Sequence, residues 1–217
     1  ASPETYVEGD IWLTDPDEIR RGLASERPGR ALWSARLCGA ALRRPLAEWM
    51  REGDAALRAN AALALALSGF SECAPVLLEL LADKSGYAPD TSKAYTPPRL
   101  LSAIAACGRL GLREAFPVLL DFFAYPDSSG VAFTRTGFLY DPGDLAFQLR
   151  SFSFVALIDI LRAHPELSQT LLPQMWEVLS DPSFTLSTTM MGLDDLRSDL
   201  SATMKSLWRD AVQSLRV

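Results

Sequence analysis

At 217 residues, with 48% hydrophobic side chains, the chain is long and apolar enough to bury a core and is not a disordered segment. Its 21 basic and 27 acidic side chains leave a net charge of −6, which sets nucleic-acid binding aside. The apolar stretches are broken by Asn60, Ser68, Glu79 and Asp83 and fall short of the roughly 18–20 residues a membrane span needs.

In chain order, the first element is a capping helix in "TDPDEIRRGLAS", with Thr14 as N-cap and Asp17 three residues on, within a cap of about residues 1–27. Arg30 then leads "RALWSARLCG" and Pro45 starts "PLAEWMRE", a first pair over about 28–53. Arg58 leads the alanine–leucine stretch to Gly69 and Pro75 starts "PVLLELLAD", over about 54–83. Arg99 leads "RLLSAIAACGRLG" and Pro117 starts "PVLLDFFAY", over about 98–125. Arg150 leads "RSFSFVALIDIL" and Pro173 starts "PQMWEVLSD", over about 144–181. A fifth, divergent unit begins near Asp194 and closes with "MKSLWRDAVQSL", over about 194–217.

The arginine-to-proline separations are 15, 17, 18 and 23 residues, each enough for one helix and a turn. Two residues after the prolines stand Ala47, Leu77, Leu119 and Met175; five after them stand Met50, Leu80, Phe122 and Val178. Those offsets share one helical face. Glu79, Asp121 and Glu177 lie off it, as a solvated edge requires. Proline suits a first helical turn because its missing N–H has no partner there anyway. Gly39, Gly69 and Gly111 fall where the first helices should stop. The first helices are apolar nearly all round, the expectation being that neighbours cover both sides.

This grammar resembles HEAT repeats, armadillo-like units of two helices, across roughly residues 15–217. The resemblance implies an all-α fold, a right-handed α–α superhelix of about five helical hairpins. From each proline to the next arginine, the last being Arg197, the separations are 13, 24, 33 and 24, so segments 84–97, 126–143 and 182–193 are insertions at one point of the repeat. Lys93, Tyr95 and Arg99, then Arg135, Phe138 and Tyr140, put aromatics and cations on that edge. Two readings stay open: a partner-docking edge, since such residues dominate binding hot spots, or aromatics folded back over helix ends with solvated cations.

The stretches "PDTSKAYTPPRLLSAIAACGRLG" and "DPSFTLSTTMMG…DLRSDL" are similar to the helical region after the flavin domain in some bacterial proteins of the FAD-dependent oxidoreductase family. That resemblance implies FAD in a longer parent protein and none in this chain, which has no GxGxxG. The opening on Ala1 agrees with a fragment of such a parent.

No metal-ligand spacing, nucleophile motif or phosphate loop stands out. The single histidine, His164, precedes Pro165 and reads as a helix-end residue. Cys38, Cys73 and Cys107 form no CxxC and read as reduced, buried thiols, for which the cytoplasm is the expected location. Arg30, Arg58, Arg99 and Arg150 read as structural cations pairing with nearby acids and carbonyls. The function expected is a non-catalytic module binding a protein partner or its parent's catalytic domain. The alternative is an accessory domain of a flavin-dependent oxidoreductase that supplies substrate contacts from its inserted loops.

Overall fold

The computed structural model describes residues 12–83, 99–124 and 142–180, together with residues 209, 210 and 213. Among these residues every regular element is a helix and there is no strand, so the all-α, helical-repeat class expected from the spacing is the class observed. The chain divides into two compact units, Ala1–Asp83 and Lys84–Val217.

The first unit holds α1 (Pro16–Ala24), α2 (Gly29–Cys38), α3 (Arg43–Glu52), α4 (Ala55–Leu67) and α5 (Ala74–Ala82). The cap of α1 is Asp15 and not Thr14: its carboxylate accepts from the Asp17 N–H at 3.1 Å. Pro16 explains the shift, because it restricts Asp15 to extended backbone and itself starts a helix without needing an N–H partner.

Helix α4 is the centre of this unit and packs against α1, α2, α3 and α5. Leu57 and every residue from Ala59 to Ala66 are buried, which is why the segment carries no polar face. Small alanines let four neighbours approach one helix closely. Its one buried polar side chain, Asn60, donates from Nδ2 to the Leu23 carbonyl at 2.7 Å and so satisfies an orphan acceptor in the last turn of α1. Asp54 caps the start of α4 by accepting from the Leu57 N–H at 2.8 Å.

The second unit holds α6 (Arg99–Arg109), α7 (Phe116–Phe123), α8 (Pro142–Ala163) and α9 (Ser168–Ser180). Helix α8 packs along both α6 and α7. Its contact with α6 is very close: a Cβ added to Gly108 would lie 2.5 Å from Ala156 Cα, and one on Gly111 would lie 2.7 Å from Ala163 Cβ. On the α7 side, the Phe123 and Phe154 rings sit with centroids 5.7 Å apart.

Helices α4 and α6 end in the same way. Gly69 and Gly111 have φ of 82° and 61°, and each reverses the chain with a paired set of closing bonds. Phe70 N–H reaches Leu65 O while Gly69 N–H reaches Ala66 O; Leu112 N–H reaches Cys107 O while Gly111 N–H reaches Gly108 O. This is the Schellman closure, and it confirms the glycines as helix stops.

Burial partly follows the proline-based offsets. Leu77, Leu119 and Met175 are buried as expected, and Ala47 is half-buried. At the second offset Met50 and Phe122 are buried, whereas Leu80 and Val178 are half-buried and Leu81 takes the core position in α5. The place of the proline in its helix does not account for this, since Pro75 and Pro117 are each second in α5 and α7 while Leu80 is half-buried and Phe122 buried. In α9 the expected start is wrong, because the helix begins at Ser168 and holds Pro173 in its interior. Pro173 and Gln169 are both exposed, so water can meet the carbonyl the proline leaves without a donor. One residue on, the Gln174 side chain donates to the Thr170 carbonyl at 3.0 Å. Helix α8 likewise begins at Pro142, well before Arg150.

Candidate interaction surfaces

Of the residues expected on the inserted edge, the structure describes Arg99, which is exposed as the first residue of α6. Lys93, Tyr95, Arg135, Phe138 and Tyr140 lie outside the described residues, as do segment 182–193 and most of the expected fifth unit, 194–217. The described helices end at Ala82 and Phe123 and the next ones start at Arg99 and Pro142, so residues 142–143 of the expected segment 126–143 belong to α8.

The recurring arginines have different environments. Arg58 binds Glu79 with Nη2 to Oε2 at 2.6 Å, joining α4 to α5 as the structural reading requires. Arg30 and Arg99 are exposed, whereas Arg150 is only 3% exposed within α8. A stronger clamp came from an arginine outside the repeat pattern. Arg43, at the start of α3, donates from Nε and Nη2 to both carboxylate oxygens of Glu72, at 2.7 and 3.0 Å. The same guanidinium lies 4.6 Å from the Phe70 ring centroid. Glu72 sits in a short 3-10 turn, Ser71–Cys73, so the clamp fixes the α4–α5 turn onto α3. Arg43's hydrogen bond holds the Glu72 carboxyl below its ordinary range.

The thiols are free, with Cys73 and Cys107 buried and Cys38 only half-buried, contrary to the expectation of three buried thiols. Burial pushes the Cys73 thiol up to about 11, which suppresses the reactive thiolate. Its Sγ donates to the Phe70 carbonyl at 3.1 Å. His164 is a helix-end residue as expected. A carbonyl can only accept, so its Nε2 donates to the Gly111 oxygen, 2.8 Å away. Among the described residues no cluster of metal-ligating side chains occurs and no helix is long and apolar enough to cross a membrane.

Two features escaped the sequence reading. The first is that only some first helices are covered all round. Helix α4 is enclosed, but α2 exposes Trp33 and Leu37, and α8 exposes Phe152 and Val155. The second is a local charge excess hidden by the overall balance. From Arg27 to Arg44 the chain has five arginines and no acid, despite the net charge of −6. The charge signal was present in "RPGRALWSARLCGAALRR".

The family described as PBS lyase HEAT-like repeat matches residues 57–83, which span nearly all of α4 and the whole of α5. No curated protein and no solved structure matches the chain. The flavoprotein resemblance therefore has no counterpart among these comparisons, and what they support is a HEAT-like helical repeat at residues 57–83.

Proposed function

We propose that this chain is a helical-repeat scaffold, without catalysis of its own, that binds a protein partner or another domain of a longer parent. The observation that carries the reading is α4. Its alanine and leucine side chains are enclosed by four helices within the segment that matches a HEAT-like repeat, so this sequence is spent on shape. Repeats of this kind bury a continuous core between neighbours and leave their inter-helix insertions for recognition. The insertions holding Lys93, Tyr95, Arg135, Phe138 and Tyr140, with Arg99 at the start of the adjoining helix, are the proposed contact edge. The flavoprotein resemblance supplies one form of the reading, in which the partner is the parent's flavin domain.

The test is affinity capture with the full chain, compared with Tyr95→Ala and Arg135→Ala. A partner lost by about tenfold or more from either variant, with an unchanged thermal midpoint, supports the edge. A lowered midpoint with capture intact would reduce the edge to packing.

A further inference from the structure

We propose that the outward face of α2 is a docking site for an acidic, amphipathic segment of another protein, with its apolar side chains seated on Trp33 and Leu37 and a carboxylate held by Arg36. Trp33 is 49% exposed and Leu37 62% exposed, one helical turn apart. Their positions are opposed to the buried Ala31, Ser34 and Ala35, which face the unit's interior, where α2 packs on α1 and α4. The Leu13 N–H donates to Ser34 Oγ at 2.9 Å, and this holds the chain at Trp12, itself 42% exposed, beside the same helix.

Charge selects the occupant. The Arg36 guanidinium lies 4.9 Å from the Trp33 ring centroid. A guanidinium stacked on a ring keeps its N–H donors in its own plane, directed past the ring toward whatever covers it. From residue 27 to residue 47 the sequence contains no acid, which favours a carboxylate-bearing partner over a basic one. An aromatic and a leucine at i and i+4, with the Arg36 guanidinium over the aromatic, complement a helix with apolar anchors at the same spacing and acids beside them. A membrane surface fits less well, because α2 has ten residues and its apolar face is two side chains wide. A nucleic acid fits less well because Arg43 and Arg44 already bind Glu72 and Glu48 and the rest of the chain is acidic.

The proposal rests on the scaffold reading but uses a different surface from the inserted edge. Its test measures binding of the full chain to a panel of synthetic helical peptides of about 15 residues, with leucines at i and i+4 flanked by glutamates. The matching lysine peptides, phosphatidylserine vesicles and a single-stranded RNA oligonucleotide are the comparison probes. The acidic peptides are expected to bind, with affinity falling as salt rises and by about tenfold or more in Arg36→Glu, Trp33→Ala and Leu37→Glu. Far-UV circular dichroism of these surface variants is expected to match the parent chain. Equal binding of the lysine peptides, insensitivity to all three substitutions, or binding of vesicles or RNA in place of the acidic peptides would overturn it. So would acidic-peptide binding that requires removal of residues 1–11, since that assigns the face to the chain's own start. If peptide binding fails while capture through Tyr95 and Arg135 persists, this surface falls and the scaffold reading stands.

Discussion

His164, which follows the last residue of α8, places its Nε2 2.8 Å from the carbonyl oxygen of Gly111, 53 positions earlier at the end of α6. The bond ties the C-terminal ends of two neighbouring helices whose bodies already touch at Gly108 and Ala156. The glycines there act through space as well as through backbone freedom. Gly69→Ala, at positive φ but with open space around its Cβ, is expected to cost about 1 kcal/mol. Gly111→Ala meets the same backbone penalty plus Ala163, and is expected to cost about 2 kcal/mol or more. Urea unfolding of both variants checks this, and equal losses would show that the α6–α8 approach is looser than described.

In α5 the neighbours Leu80 and Leu81 divide the roles of surface and core. Leu81→Ala is expected to cost about 2–5 kcal/mol, the range for truncating a buried leucine, and Leu80→Ala clearly less. Equilibrium unfolding of the two variants decides the register; a reversed order would restore the proline-based offset.

That pair also shows what was legible in advance. Glycine stops at Gly69 and Gly111, the apolar enclosure of Ala61–Ala66 and the solvated Glu79 could all be read from residue type and spacing, because each follows from a local rule. Helix phase could not be read from proline alone. Proline tolerates the first turn broadly and, at the exposed Pro173, an interior position as well. The α2 face was missed for a different reason. Whether an apolar helix side is covered depends on which elements reach it, and nothing within "RALWSARLC" records that Trp33 and Leu37 are left outside. Of the inserted-edge residues, the described part of the fold includes Arg99 alone.

The Arg43–Glu72 clamp has a signed pH dependence. Glu72's carboxyl is lowered in the folded chain, chiefly by the Arg43 hydrogen bond. Its stabilising contribution is therefore present above the carboxyl's unfolded value of about 4.5 and is lost as pH falls through the lower folded value. Comparing thermal midpoints of the parent chain and Glu72→Gln between about pH 3 and pH 7 should show the gap closing on the acid side. Because the pair is partly exposed, added salt should narrow the gap at neutral pH. A gap that widens on acidification would contradict the clamp.

Thiol reactivity should separate the three cysteines. Under native conditions the half-buried Cys38 is expected to react first with a thiol reagent, while Cys73 and Cys107 wait for unfolding. Cys73 has the further handicap of a thiol raised to about 11. Peptide mapping after brief labelling identifies the site. Labelling of Cys73 ahead of Cys38 would mean that the α4–α5 turn opens readily.

The enclosure of α4 by four helices is the centre of this account, and amide hydrogen exchange of the full native chain measures it most directly. Peptides covering 55–67 are expected to exchange most slowly within the first unit, far more slowly than the terminal helix 16–24, because their amides open only when the surrounding helices separate. Exchange of 55–67 as fast as that of 16–24 would contradict an inner repeat helix and the scaffold built upon it.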